Sequence, residues 1–211
     1  MSQYALPLDW PADPRDDEFL ISPSNARVVH QLEHWSTWPV MAVLLVGPRK
    51  SGRSLLARIF AAKSGGQLID DAERQSETTI FHAWNHAQEI RRPLIVVADA
   101  PPPEWKIKLP DLRSRLAATP VARIEPPDEE LMHALFERLF LRRGLDARPE
   151  LIQWLILRIE RSHVALLRTV DLLDQAVLQR HKRLSIPLAR VTLSEAGLIA
   201  PRSTDPEAEA P

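Results

Sequence analysis

The segment 47–54 reads GPRKSGRS and fits the phosphate-binding pattern G-x-x-x-x-G-K-[ST] at every fixed position but one: Arg53 stands where the pattern has lysine. The chemistry this spacing permits is anion binding. Gly47 and Gly52 let backbone N–H groups turn toward a phosphate, and a helix starting at Ser54 adds the positive end of its dipole. Pro48, Lys50, Ser51 and Leu55 complete a cradle for ATP or ADP, and the Ser54 hydroxyl is placed to hold Mg2+. Arginine keeps the positive charge but carries it on a planar fork with a longer stem. The expectation is nucleotide binding with weak or no intrinsic hydrolysis. A plain glycine turn between a strand and a helix is the alternative.

Three carboxylates follow at positions suited to the same ligand. Gln67, Leu68 and Ile69 lead into Asp70 and Asp71; Asp70 would reach Mg2+ through water, and Asp71 would polarise an attacking water, though weakly, because its side chain is short. Asp99, after the apolar run Leu94–Ala98, would orient a water or the γ-phosphate. In LPDLRSRLAAT, Arg113 and Arg115 read as surface arginines in a lone subunit, or as a finger if one of them projects into a neighbouring nucleotide site. At the N-terminus, QYALPL offers Gln3, Leu6, Pro7 and Leu8. Pro7 biases Leu6 toward an extended conformation, so the peptide either fills a partner's pocket or packs on its own domain.

The elements that must position these groups are legible in outline. DWPADPRDDE, with two prolines and five acidic residues, reads as a linker at 9–18 after a tethered peptide at 1–8. An α/β domain over 19–126 follows. Ser24 is placed to cap a helix bearing Val28, Val29, Leu32 and Trp35, and the apolar strands Val43–Val46, Leu94–Ala98 and Val121–Ile124 alternate with helical stretches such as Thr78–Ile90. That alternation predicts a parallel sheet with ligands at the carboxyl ends of its strands. Beyond Pro126 and Pro127 the pattern is helical only. One helix carries Leu131, Met132, Leu135, Phe136, Leu139 and Phe140, a second opens at Pro149, and a third carries Leu166, Val170 and Leu173. These form a small all-α lid domain over 127–200, before a tail at 201–211 expected to be disordered.

Composition narrows the field. The chain has 211 residues, 27 basic against 28 acidic, for a formal net charge of -1, so no global field draws it onto DNA. There are no cysteines, which removes thiol catalysis and cysteine-ligated metals. His30/His34 and His82/His86 have helical spacing but lack the H-E-x-x-H glutamate, and read as helix-surface residues. With no signal peptide and no long apolar run, a cytoplasmic protein without membrane contact is expected.

Taken together, FLISPSNARVV at 19–29, GPRKSGRS, LIDDAE at 68–73 and LIVVADAPPPEWKIKLPDLRSRL at 94–116 resemble the DnaA/Hda family of AAA+ P-loop NTPases, and most closely its short regulatory members. The resemblance implies an AAA+ core, with Asn25 near the nucleotide base, Asp99 as sensor and Arg115 as arginine finger. It also implies that Gln3, Leu6, Pro7 and Leu8 bind the DNA polymerase III sliding clamp (its beta subunit). The function implied is negative regulation of replication initiation through DnaA, with DNA met only through the loaded clamp and a homodimer as one assembly. An adaptor or helicase-loader-like protein, or a stand-alone ATPase or nucleotide kinase, stands as the alternative. Two departures follow. Only 16 positions separate Ser54 from Asp70, so the sheet should be one strand narrower than usual, and Val164 falls where the lid's sensor arginine is expected, with Arg161 and Arg168 out of register.

Overall fold

The computed structural model describes residues 18–199. The peptide at 1–8 with Gln3, Leu6, Pro7 and Leu8, all of the 9–18 linker but Glu18, and the 201–211 tail lie outside the described residues. The first helix, α1 (Pro23–Glu33), is followed by a 3-10 turn at Trp35–Thr37 and then by strand β1 (Ala42–Val46). Next come α2 (Arg53–Ser64), β2 (Gln67–Ile69), α3 (Glu77–Ile90), β3 (Leu94–Ala98), α4 (Pro110–Ala117) and β4 (Val121–Arg123).

All pairings are parallel, in the order β2-β3-β1-β4. Parallel strands need crossover helices, which cover both faces, so central strands read as unbroken apolar runs. β1 (AVLLV) and β3 (LIVVA) are buried at every position. Their side chains alternate between two layers. Leu44, Val46, Leu94 and Val96 pack against Ile80 of α3 and Leu112 and Leu116 of α4, whereas Val43, Leu45, Ile95 and Val97 pack against Val28 and Leu32 of α1 and Leu56 and Phe60 of α2. Four strands are what the short interval between Ser54 and Asp70 predicts: α2 leads directly into β2, which occupies the sheet edge.

Beyond the sheet lie α5 (Glu129–Arg142), α6 (Pro149–Ile156), α7 (His163–Arg180) and α8 (Ile186–Glu195). They share one core built on Phe136, Phe140, Leu155, Leu166, Leu173 and Leu193. The fourth helix was not anticipated from the sequence. Its inner face is Leu188, Ala189, Thr192 and Leu193, in which a buried threonine interrupts the apolar spacing. Arg180 at the end of α7 pairs with Glu195 of α8 at 2.9 Å.

One expectation is corrected. The α1 cap is Ser22, with Pro23 in the first turn, and Trp35 falls in the 3-10 turn beyond the helix. The backbone N–H of Ser24 donates instead to Asp128 Oδ2 at 2.8 Å. Asp128 also caps α5, its Oδ1 accepting from Leu131 N at 2.7 Å, so a single carboxylate ties the start of the lid to the start of the core. Asp128→Ala is expected to cost about 2 kcal/mol in urea unfolding, and Asp128→Asn to recover most of it, because the amide oxygen still accepts. Among the described residues no helix is long and apolar enough to cross a membrane, and no cluster of three or more His, Asp or Glu could hold a metal.

Candidate nucleotide-binding site

The P-loop segment leaves β1 at the carboxyl edge of the sheet and feeds α2. Gly47 is required by crowding: a Cβ there would lie 2.9 Å from both Cβ and the carbonyl oxygen of Ile124. Gly52 has φ +85, a left-handed conformation that disfavours other residues, and the ring of Phe19 closes over it. Lys50 is also left-handed, at φ 66. At the start of α2 the Ser54 hydroxyl donates to Asp70 Oδ1 at 3.1 Å, and the same oxygen accepts from Asp71 N at 3.0 Å. A hydroxyl and a carboxylate held in contact at the tips of β1 and β2 are the hard oxygen donors that suit Mg2+. Asp71 is exposed and left-handed at φ 47, turning the chain into the 3-10 turn at Ala72–Arg74.

Arg53 behaves differently from what a cradle residue requires. Its guanidinium donates to the carbonyl of Ala98 at 2.5 Å and pairs with Asp99 Oδ1 at 2.6 Å, with the side chain only 11% exposed. Arg49, exposed at the loop tip, takes the other carboxylate oxygen at 2.9 Å. Asp99 therefore sits between two arginines, and its own N–H donates to the Glu73 carboxylate. The hydrogen bonds from Arg53 and then Arg49 hold the Asp99 carboxyl below the usual carboxylate range. The structure thus brings Arg53 to Asp99 and Ser54 to Asp70, and ties the cation at the lysine position to the Asp99 carboxylate. Arg49 and Glu73 were not singled out from the sequence. Their partner, Asp99, follows β3 directly, and that adjacency is visible only once β1 and β3 pair.

Beside the loop, a cavity of 160 Å³ opens between core and lid, walled by Phe19, Leu20 and Leu55 on one side and Leu131, Leu135 and His163 on the other. Asn25 lines it too, but both ends of its amide are engaged: Oδ1 accepts from Ser22 N and Nδ2 donates to the carbonyl of Leu20, each at 2.9 Å. It shapes the wall.

Residues 128–193 match the family model of the Hda lid domain. The described fold is similar to domain III of the replication initiation protein DnaA from Thermotoga maritima, with a TM-score of 0.69 at 17% identity over 91% of this chain and 100% of that one. The chain has the fold of DnaA domain III, and its helical segment 128–193 matches the Hda lid domain. The same fold relates it to AMPPCP-bound DnaA from Aquifex aeolicus (TM-score 0.57, 16% identity, 81% of this chain and 69% of that one). It also relates it to the Thermotoga maritima RuvB Holliday junction branch migration motor (0.58, 14%, 82% and 68%).

Within the segment 128–193, Val164 is 51% exposed. Arg161 pairs with Glu129 at 3.8 Å, and Arg168 is exposed. The residue that α7 sends to the cavity is His163, 6% exposed, which sequence reasoning passed over although it adjoins Val164.

Arg115 lies on α4, apart from the P-loop cluster and partly buried. Its guanidinium stacks over Phe81 and Trp84 of α3, at 4.4 and 4.8 Å from the ring centroids. Trp84 is itself pinned, its Nε1 donating to Thr119 Oγ1 at 3.1 Å while that hydroxyl donates to the carbonyl of Arg115 at 2.8 Å. Glu77 fixes the start of α4 by accepting from the N–H groups of Lys108 and Leu109, at 2.9 and 2.6 Å. Arg113, two residues earlier, is exposed.

Proposed function

We propose that this chain is a negative regulator of DNA replication initiation. It binds ADP or ATP with Mg2+ in its own P-loop, docks on the polymerase sliding clamp through Gln3, Leu6, Pro7 and Leu8, and presents Arg115 to ATP held by DnaA. The observation that carries the reading is the pairing of an Hda lid with a DnaA-type core. AAA+ subunits assemble by apposing one subunit's arginine to the next subunit's nucleotide, and a DnaA-like surface fits a DnaA neighbour. The intrinsic hydrolytic machinery is weak, because Arg53 and Asp99 neutralise one another and Asp71 is turned out to solvent. The bound nucleotide then acts as a structural ligand that joins core to lid.

The peptide supplies the location of the activity. A short extended segment binds at about micromolar affinity, and two copies on an oligomeric ring gain by avidity. Gln3→Ala/Leu6→Ala is expected to abolish capture by DNA-loaded clamp, measured by surface plasmon resonance, while nucleotide affinity stays within about twofold. If the doubly substituted protein still binds the clamp, the tether lies elsewhere.

A further inference from the structure

Along α3, Glu77, Phe81 and Trp84 stand at i, i+4 and i+7, so they share one face of the helix, and each of them meets the unit that carries Arg115. Glu77 takes the start of that unit, its two carboxylate oxygens accepting from Lys108 N at 2.9 Å and Leu109 N at 2.6 Å. Phe81 and Trp84 lie against the Arg115 guanidinium in the middle. Trp84 also takes the end, through its hydrogen bond to the Thr119 hydroxyl. Gln88, one turn further along α3, ties the same face to the sheet by accepting from Met41 N at 2.9 Å just before β1.

The short helix α4 depends on this face for its direction. It has eight residues, too few for a helix to hold itself in place. Its cap position is Leu109, which has no side-chain acceptor, and Pro110 in the first turn has no N–H. The carboxylate that accepts at its start is therefore lent by α3. Leu112 and Leu116 are buried, but apolar contact is non-directional, whereas two charge-assisted hydrogen bonds fix a position. Those bonds, from Lys108 and then Leu109, hold the Glu77 carboxyl below the usual carboxylate range, so it accepts in its charged form.

Resting on the reading that Arg115 is presented to ATP on DnaA, we infer that Glu77 is a positioning residue for Arg115: by holding the start of α4 it sets the angle at which the guanidinium meets a neighbour's nucleotide. It acts through the backbone of Lys108 and Leu109. Its effect therefore belongs to turnover within the formed complex, where a displacement of about 1 Å costs about 10² in rate, and not to the docking that forms the complex.

Hydrolysis of DnaA-bound ATP on DNA-loaded clamp, measured against the concentration of the full chain as wild type, Glu77→Ala and Glu77→Gln, tests this. Glu77→Ala is expected to lower the maximal rate by about ten- to a hundredfold while the half-maximal concentration stays within about twofold. Glu77→Gln keeps one acceptor oxygen and should recover part of the rate. A second readout is independent of turnover. In the nitrogen-15 NMR spectrum of the chain alone, Glu77→Ala should shift the Arg115 Nε–H resonance, which lies over two aromatic rings, while amide resonances of the lid helices stay in place. Wild-type turnover in Glu77→Ala, or an unmoved Arg115 resonance, overturns the inference while the finger reading stands. A raised half-maximal concentration at unchanged maximal rate also overturns it, and assigns Glu77 to the docking surface. If the wild type leaves DnaA turnover unchanged, the finger reading fails and takes the inference with it.

Discussion

Arg115→Ala is expected to reduce stimulated ATP hydrolysis by DnaA at least about a thousandfold, to the level without this protein, since an arginine finger contributes about 10³ to 10⁵ in turnover. The geometry gives the prediction a specific form. Phe81 and Trp84 hold the guanidinium against α3, at 4.4 and 4.8 Å, and each such contact is worth about 0.5–2 kcal/mol. Those rings limit the rotamers of a long side chain before any partner arrives, which lowers the ordering cost at the interface. Phe81→Ala should therefore weaken stimulation without abolishing it, and Arg113→Ala, which removes an exposed cation from the same helix, should change turnover by less than about threefold. The substitutions leave the P-loop untouched, so nucleotide binding by the chain itself serves as the control. Full stimulation by Arg115→Ala together with loss in Arg113→Ala would move the finger to Arg113.

The second large effect concerns the Arg53–Asp99 pair. Removing the carboxylate leaves a guanidinium that is 11% exposed with the Ala98 carbonyl as its remaining hydrogen-bond partner. Asp99→Ala is expected to destabilise the ligand-free protein by about 1–3 kcal/mol and to tighten nucleotide binding by about ten- to a hundredfold, because Arg53 no longer has to leave its own carboxylate to meet a phosphate. Arg53→Ala should do the reverse to affinity while costing less stability, since Asp99 is 47% exposed and keeps Arg49. The pH dependence has a definite sign. The Asp99 carboxyl is depressed by Arg53 and Arg49, so its contribution is complete above the unfolded-state value of about 4 and is lost as pH falls through the lower folded-state value. The stabilities of wild type and Asp99→Ala should converge at acid pH and be fully separated above about pH 4, as followed by urea unfolding.

The strands were readable because burial on both faces of a parallel sheet leaves unbroken apolar runs, and Pro149 marked the second lid helix because proline suits a first turn. The narrow sheet was readable too, from the short interval between Ser54 and Asp70. Long-range contacts were not. Ser24 looked like a cap, but its N–H is committed to a carboxylate 104 positions away, and the cap moves to Ser22. The α8 helix escaped because Thr192 is buried within its apolar face. At the site, residue types singled out Arg53, Ser54, Asp70 and Asp99, and the fold places Ser54 against Asp70 and Arg53 against Asp99. That Arg53 would bind Asp99 depends on how a longer, forked side chain fills the space lysine would leave, which spacing does not encode. His163 escaped because a histidine beside an exposed valine carries no periodic signal of burial.

The most direct measurement is the rate at which DnaA-bound ATP is hydrolysed with the wild-type chain and DNA-loaded clamp, against the same mixture lacking either one. The account predicts acceleration only when both are present. Equal turnover with and without this chain, while it still binds the clamp, would contradict the account and leave an adaptor in its place.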